Sequence, residues 1–180
     1  VNSRANDQIV ANGTFFNNFH YFPHLGYQRF NELQDRNTRR KYGLAPVQRF
    51  PKIDDMKARM NNQISVEADW MNLDTTISTS PDQIALAPGY LQKEWMQNGR
   101  RYFHYKSDAP ILAFWSYVSA RYEVKKDRWK DVAIEIYYDK KHPYNVDRMI
   151  DSVKKSLDYF TTNFSPYQHR QVRIVEFPRY

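Results

Sequence analysis

The sequence predicts a mainly β protein with a smaller α/β part: an antiparallel β-sandwich or curved sheet, followed by a strand-helix-strand unit. Three features support this. From Gln63 onward, short runs alternate apolar and polar side chains, the period of a half-buried strand. Asn98-Gly99 lies between two aromatic-rich runs and supplies the positive φ angles of a two-residue hairpin turn. Beyond "KKDRWK" (125–130) the pattern changes to one apolar strand, one amphipathic stretch of period 3.6 and one further strand.

In chain order, residues 1 to about 62 are rich in Asn, Gln, Arg and Pro, with apolar material in short bursts such as "GTFFNNFHYFPHLGY" and "APVQRFPKIDDM". They read as short strands and long loops, with a helical turn around "YQRFNELQDRNTRRKYG". "ISVEADWM" places Ile64, Val66, Ala68 and Trp70 on one face of a strand. "LDTTIST" is β-branched, "SPDQ" interrupts it, and "IALAPGYL" resumes. "APILAFWSYVSARYEV" (109–124) reads as one long strand, after which the charged "KKDRWK" separates it from "DVAIEIYY". Asn145 is placed to cap a helix that opens with Asp147. Its stripe is Val146, Met149, Ile150, Val153, Leu157 and Phe160, it ends near Asn163 ahead of Pro166, and "QVRIVEF" is the closing strand. A meander of half-buried antiparallel strands needs a second layer over its apolar face. Two strands and one helix do not close a core by themselves, so the last 50 or so residues read as the start of a second domain.

Composition removes several function classes. No run approaches the roughly 20 apolar residues of a spanning helix, and the opening "VNSRANDQIV" lacks the regions of a signal peptide and reads as mid-protein sequence. Mean hydropathy of −0.83 with 41% hydrophobic residues describes a soluble globular chain. The formal charge of +7 permits an anionic partner, but the basic residues fall in short isolated groups, "RNTRRK", "GRR" and "KKDRWK". A nucleic-acid site needs a contiguous footprint, so no nucleic-acid partner is expected. With no cysteine, disulfides, thiolate metal sites and a cysteine nucleophile are excluded.

No catalytic constellation emerges from the residues. His20 and His24 are spaced as in the helical zinc motif, but Tyr21 stands where its general base would be, and Pro23 breaks the required helix. His104 lies among strand aromatics; His142 and His169 lie beside turns. Asp54-Asp55, Asp82, Asp108 and Asp147 each sit at a turn or helix start, where capping explains them. Neither a Gly-x-Ser-x-Gly elbow nor a Gly-rich phosphate loop is present. Aromatic density around Trp95, Tyr102 and Tyr105 suits a strand core, or else the groove of a stand-alone β-sandwich module binding glycan or peptide.

The tail "NFSPYQHRQVRIVEFP" resembles the entry into the catalytic domain of M1-family zinc aminopeptidases, with Ser165 where that family usually has glycine. "VEADWMNLDTTISTSPDQIALAPGYL" is similar to the family's strand pair ending in a tight turn, here Pro88-Gly89, and "RRYFHYKSDAPILAFWSYVSARYEV" to its returning strands. "NGTFFNNFHYFPHLGYQRFNEL" and "YGLAP" most resemble the branch fused to an ABC-type permease. The resemblance implies a β-rich N-terminal domain at 1–128, with further strands upstream of it, and the opening of a thermolysin-like catalytic domain at 129–180. It implies Zn2+ in the parent and none in this fragment. The family's zinc ligands, amine-holding segment and oxyanion tyrosine would all lie beyond Tyr180, so no catalytic or metal residue carries over. In the family one amide or acid of the N-terminal domain faces the substrate amine, and Asn17 or Asn18 is the nearest polar candidate here. The implied partners are the remainder of the catalytic domain and, in the parent, a peptide. Membrane association is implied only through other parts of a parent at a bacterial inner membrane. An uncovered helix-strand edge also predicts self-association.

Overall fold

The structure, a computed structural model, describes residues 9–10, 12–18, 22, 32–47, 50–60 and 70–177. Among these, two antiparallel sheets share one core, and a third sheet carries the long helix. The strands of the first sheet are β1 (Ile9–Val10), β2 (Gly13–Asn17), β9 (Ser116–Ala120) and β5 (Ile84–Leu86), in that spatial order. The second is β4 (Asp74–Thr79), β7 (Arg100–Lys106) and β6 (Tyr90–Gln97), and a small pair joins β3 (Trp70–Met71) to β8 (Ile111–Leu112). Two short helices, α1 (Arg36–Lys41) and α2 (Met56–Arg59), are capped by Asp35 and Asp55, whose side chains accept from Thr38 N and Ala58 N. The reading of Asp55 as a cap holds, and α1 lies where a helical turn is expected. Most of the expected strand 64–70 lies outside the described residues, as do His20 and His24.

The hairpin at Asn98-Gly99 forms as predicted, with φ of 50° and 71°, and joins β6 to β7 in antiparallel register. Along β7 the faces alternate: Phe103 and Tyr105 point into the core, Tyr102 and His104 away from it. Their core partners are Leu86 and Ala87 around β5, Tyr117 of β9, Phe16 of β2 and Ile77 of β4, so one apolar layer lies between the two sheets. This is the sandwich the alternation predicts.

The expected single strand at 109–124 is instead three. After Pro110 the chain forms β8, then β9, then at Arg121 it turns into β10 (Tyr122–Trp129), which belongs to the third sheet. That sheet runs β10, β11 (Val132–Asp139), β12 (Gln171–Val175); β10–β11 is antiparallel and β11–β12 parallel. "KKDRWK" is therefore not a separator. It forms most of β10 and the tight turn at Lys130, and position 128 lies inside that strand.

The helix α3 (Val146–Asn163) crosses from β11 to β12 and covers one face of this sheet, packing Val146, Ile150 and Val153 on Ile134, Ile136 and Ile174. Asn145 occupies the cap position as expected, but at φ 62° its side chain makes no capping bond. Met149 and Phe160, counted in the apolar stripe, are 38% and 57% exposed. The sheet's other face is not open: Tyr137, Tyr122, Val124 and Val175 join the sandwich core. The strand-helix-strand unit is thus covered on the sandwich side. What stays open is a groove of about 610 Å³ between α3 and the unpaired side of β12, lined by Met149, Val153, Val172 and Ile174.

Candidate functional site

Asn17 ends β2 and Asn18 follows it, and the two neighbouring side chains have different surroundings. The Asn18 side chain is consumed by structure. It is 5% exposed, its Nδ2 donates to Ala113 O at 2.9 Å, and its Oδ1 accepts from Trp115 N at 3.0 Å. With Asn18 N donating to Trp115 O at 2.9 Å, this residue clamps β2 to the segment leading into β9. Asn17 differs. Phe15, two residues earlier on the same face, meets Phe177 edge-on at 4.6 Å, so this face looks toward the end of β12. The Asn17 Oδ1 is buried and has no hydrogen-bond partner among the described residues. A buried orphan acceptor is costly, and a donor from outside these residues would satisfy it.

The end of β12 is heavily tied down. Glu176 accepts from Asp139 N at 2.5 Å and pairs with His142 Nδ1 at 2.5 Å, and its carbonyl accepts from Tyr122 OH at 2.8 Å. His142 is therefore a latch on this strand, and His104 holds Asp74 at 2.6 Å, a hydrogen bond that keeps the Asp74 carboxyl below the usual aspartate range. Asp82 pairs with Arg121, Asp108 with Arg170 and Asp147 with Lys125. Of the candidate carboxylates beside turns, Asp55, Asp82, Asp108 and Asp147 thus have structural partners. Among the described residues no three His, Asp or Glu side chains come together as a group that could hold a metal ion.

The aromatic group around Trp95 divides by strand parity. Trp95 and Tyr102, cross-strand partners, stack at 5.2 Å on the outer face, with Lys93 over the indole at 5.2 Å. Tyr105 points inward, is 2% exposed, and donates to Ala85 O at 3.0 Å, so it takes no part in any outer surface. The residues that lock the third sheet to the sandwich are Gln171 and Arg173 of β12, which donate to the carbonyls of Ala87 and Gly89 in the "APGY" turn. The signal for them is the pair of polar residues two apart, Gln171 and Arg173, in an otherwise apolar strand.

No protein-family model matches this sequence, and no curated protein does. Solved structures do match in fold. The chain is similar to aminopeptidase A of Legionella pneumophila, with a TM-score of 0.54, 16% identity and 59% of this chain covered. It is also similar to the M1 zinc metallopeptidase of Deinococcus radiodurans, with a TM-score of 0.52, 13% identity and 60% covered. The matches span only 14% and 26% of those two proteins' own lengths. At such identities the likeness is one of fold.

Proposed function

We propose that the chain is a non-catalytic N-terminal portion of an M1-like zinc metallopeptidase of aminopeptidase type, with 1–128 as its β-rich domain and 129–180 as the opening of its catalytic domain. The observation that carries this reading is the shared fold with two such enzymes over about three fifths of this chain and a small part of theirs. The open groove beside β12 supports it too, because the remainder of a catalytic domain would cover that face. In this reading zinc belongs to the remainder of the parent, where it would polarise the scissile carbonyl and activate water. The contribution of these residues is a wall beside the peptide, with Asn17, whose buried Oδ1 has no partner among the described residues, as the residue nearest the substrate's ammonium group. Fusion to an ABC-type permease at a bacterial inner membrane is the finer reading, supported by "NGTFFNNFHYFPHLGY" and "YGLAP". Among the described residues no helix is long and apolar enough to cross a membrane, so attachment would come through other parts.

The test is direct. The purified chain is expected to bind no zinc by elemental analysis and to release no amino acid from aminoacyl reporters. Stoichiometric zinc together with turnover would overturn the reading. A second reading, a module binding glycan or peptide, is favoured by the outward Trp95–Tyr102 stack alone. Saturable binding on a glycan array, lost in Trp95→Ala, would select it.

A further inference from the structure

A cleft of about 490 Å³ opens between the two sheets of the sandwich, where β2 and β9 face β4. Its size is that of small-molecule sites, roughly 300–1,000 Å³. Phe16, Ile77 and Tyr117 form apolar walls, and Gln83, Thr79 and Ser119 supply the polar groups. Gln83 is 9% and Thr79 7% exposed, so these polar groups are held out of water.

Hydrogen-bond capacity at this site is lopsided. The Gln83 Oε1 accepts from Thr79 Oγ1 at 2.8 Å and from Ser119 Oγ at 3.2 Å, which uses both lone pairs. Its Nε2 reaches only Asn12 O, at a long 3.4 Å, which leaves one N–H without an acceptor among the described residues. At the rim, the Arg100 guanidinium is fixed by Ser78, with Nε donating to Oγ at 3.0 Å and Nη2 to the carbonyl at 2.9 Å. Its Nη1 has no partner among the described residues. The cleft therefore offers donors and a positive charge, while its carboxamide acceptor is already spent. A complementary ligand brings acceptor oxygens with negative charge and an apolar body.

The geometry points to this inter-sheet cleft as a binding site for a small apolar carboxylate. The inference does not rest on the peptidase reading. The probe is decanoate, with decanol as the uncharged control, titrated into the 15N-labelled chain while the Gln83 side-chain NH2 signals are followed. Saturable binding of decanoate that moves those signals is expected. In Arg100→Gln, an exposed substitution that leaves the core intact, decanoate should bind roughly tenfold more weakly, the scale of one charge-assisted hydrogen bond, and decanol should be unaffected. Three results would overturn the proposal: no saturable change up to about a millimolar ligand, binding that leaves Gln83 unmoved, or an Arg100→Gln variant that binds decanoate as the parent chain does.

Discussion

The Trp129 indole donates to Asp158 Oδ1 at 2.7 Å, tying the last residue of β10 to the final turns of α3. Two more straps run in the same rows: Lys154 to Asp127 at 2.7 Å, and Lys125 to Asp147. Residues 125, 127 and 129 share one face of β10, and that face meets the helix. Trp129→Phe is expected to lower stability by about 1 kcal/mol, the usual net worth of one hydrogen bond. Urea denaturation of the single and double variants with Asp158→Asn checks it, and additive losses would show that the two groups do not interact.

The Arg173 guanidinium binds Ala87 O at 2.9 Å and Gly89 O at 2.8 Å and lies 5.4 Å from the Tyr105 ring centroid. Arg173→Met keeps most of the volume and removes the donors. A loss of about 2 kcal/mol is expected, because half-buried carbonyls are left unpaired. Amide exchange should show the β12 protection falling while that of β6 and β7 is kept.

Gly89 has φ of 88°, and a Cβ there would lie 2.6 Å from the backbone carbon and oxygen of Lys106. Gly89→Ala therefore meets rigid backbone and is expected to cost about 2 to 3 kcal/mol. Gly99→Ala is the control, since nothing lies within 4 Å of its Cβ position and only the positive φ is strained. Equal midpoints for the two variants in thermal melts would refute the steric argument.

Burial pushes the Tyr105 hydroxyl up to about 12 and raises Tyr122 and Tyr137 as well, the latter with help from the Glu135 carboxylate that its hydroxyl bonds. In the unfolded chain these phenols ionise near 10. The folded state thus holds more protons above that value, so stability is intact below about pH 10 and declines as pH rises toward 12. Ultraviolet titration should show these three tyrosines ionising only as the fold is lost, and Tyr105→Phe should flatten the decline.

Strand period was legible wherever one face meets a core, which is why β4, β7 and β11 follow their alternation. The parity that separates Tyr102 from Tyr105 was readable too, once the hairpin fixes the register. The break at Arg121 was not, because the chain changes sheets there with no proline or glycine to mark it. The charges of β10 misled for a physical reason: alternate ones face a helix edge, and a charged strand margin looks like a linker when read without its partner. For Asn17 and Asn18, the sequence places both at a strand end but cannot say which amide is spent on the segment 113–115.

The pairing of β2 with β9 joins positions about a hundred residues apart, from Gly13 with Ala120 to Asn17 with Ser116, whereas the β6–β7 and β10–β11 hairpins close over two-residue turns. Loop-closure entropy makes the distant pair late and the hairpins early. Docking of β2 should therefore follow the rate-limiting step: substitutions in the hairpins would change the folding rate, and those around Asn18 chiefly the unfolding rate. A chain built this way can assemble most of its tyrosine-rich interior before β2 is in place, and stopped-flow kinetics on Phe16→Ala and Phe103→Leu would reveal that order.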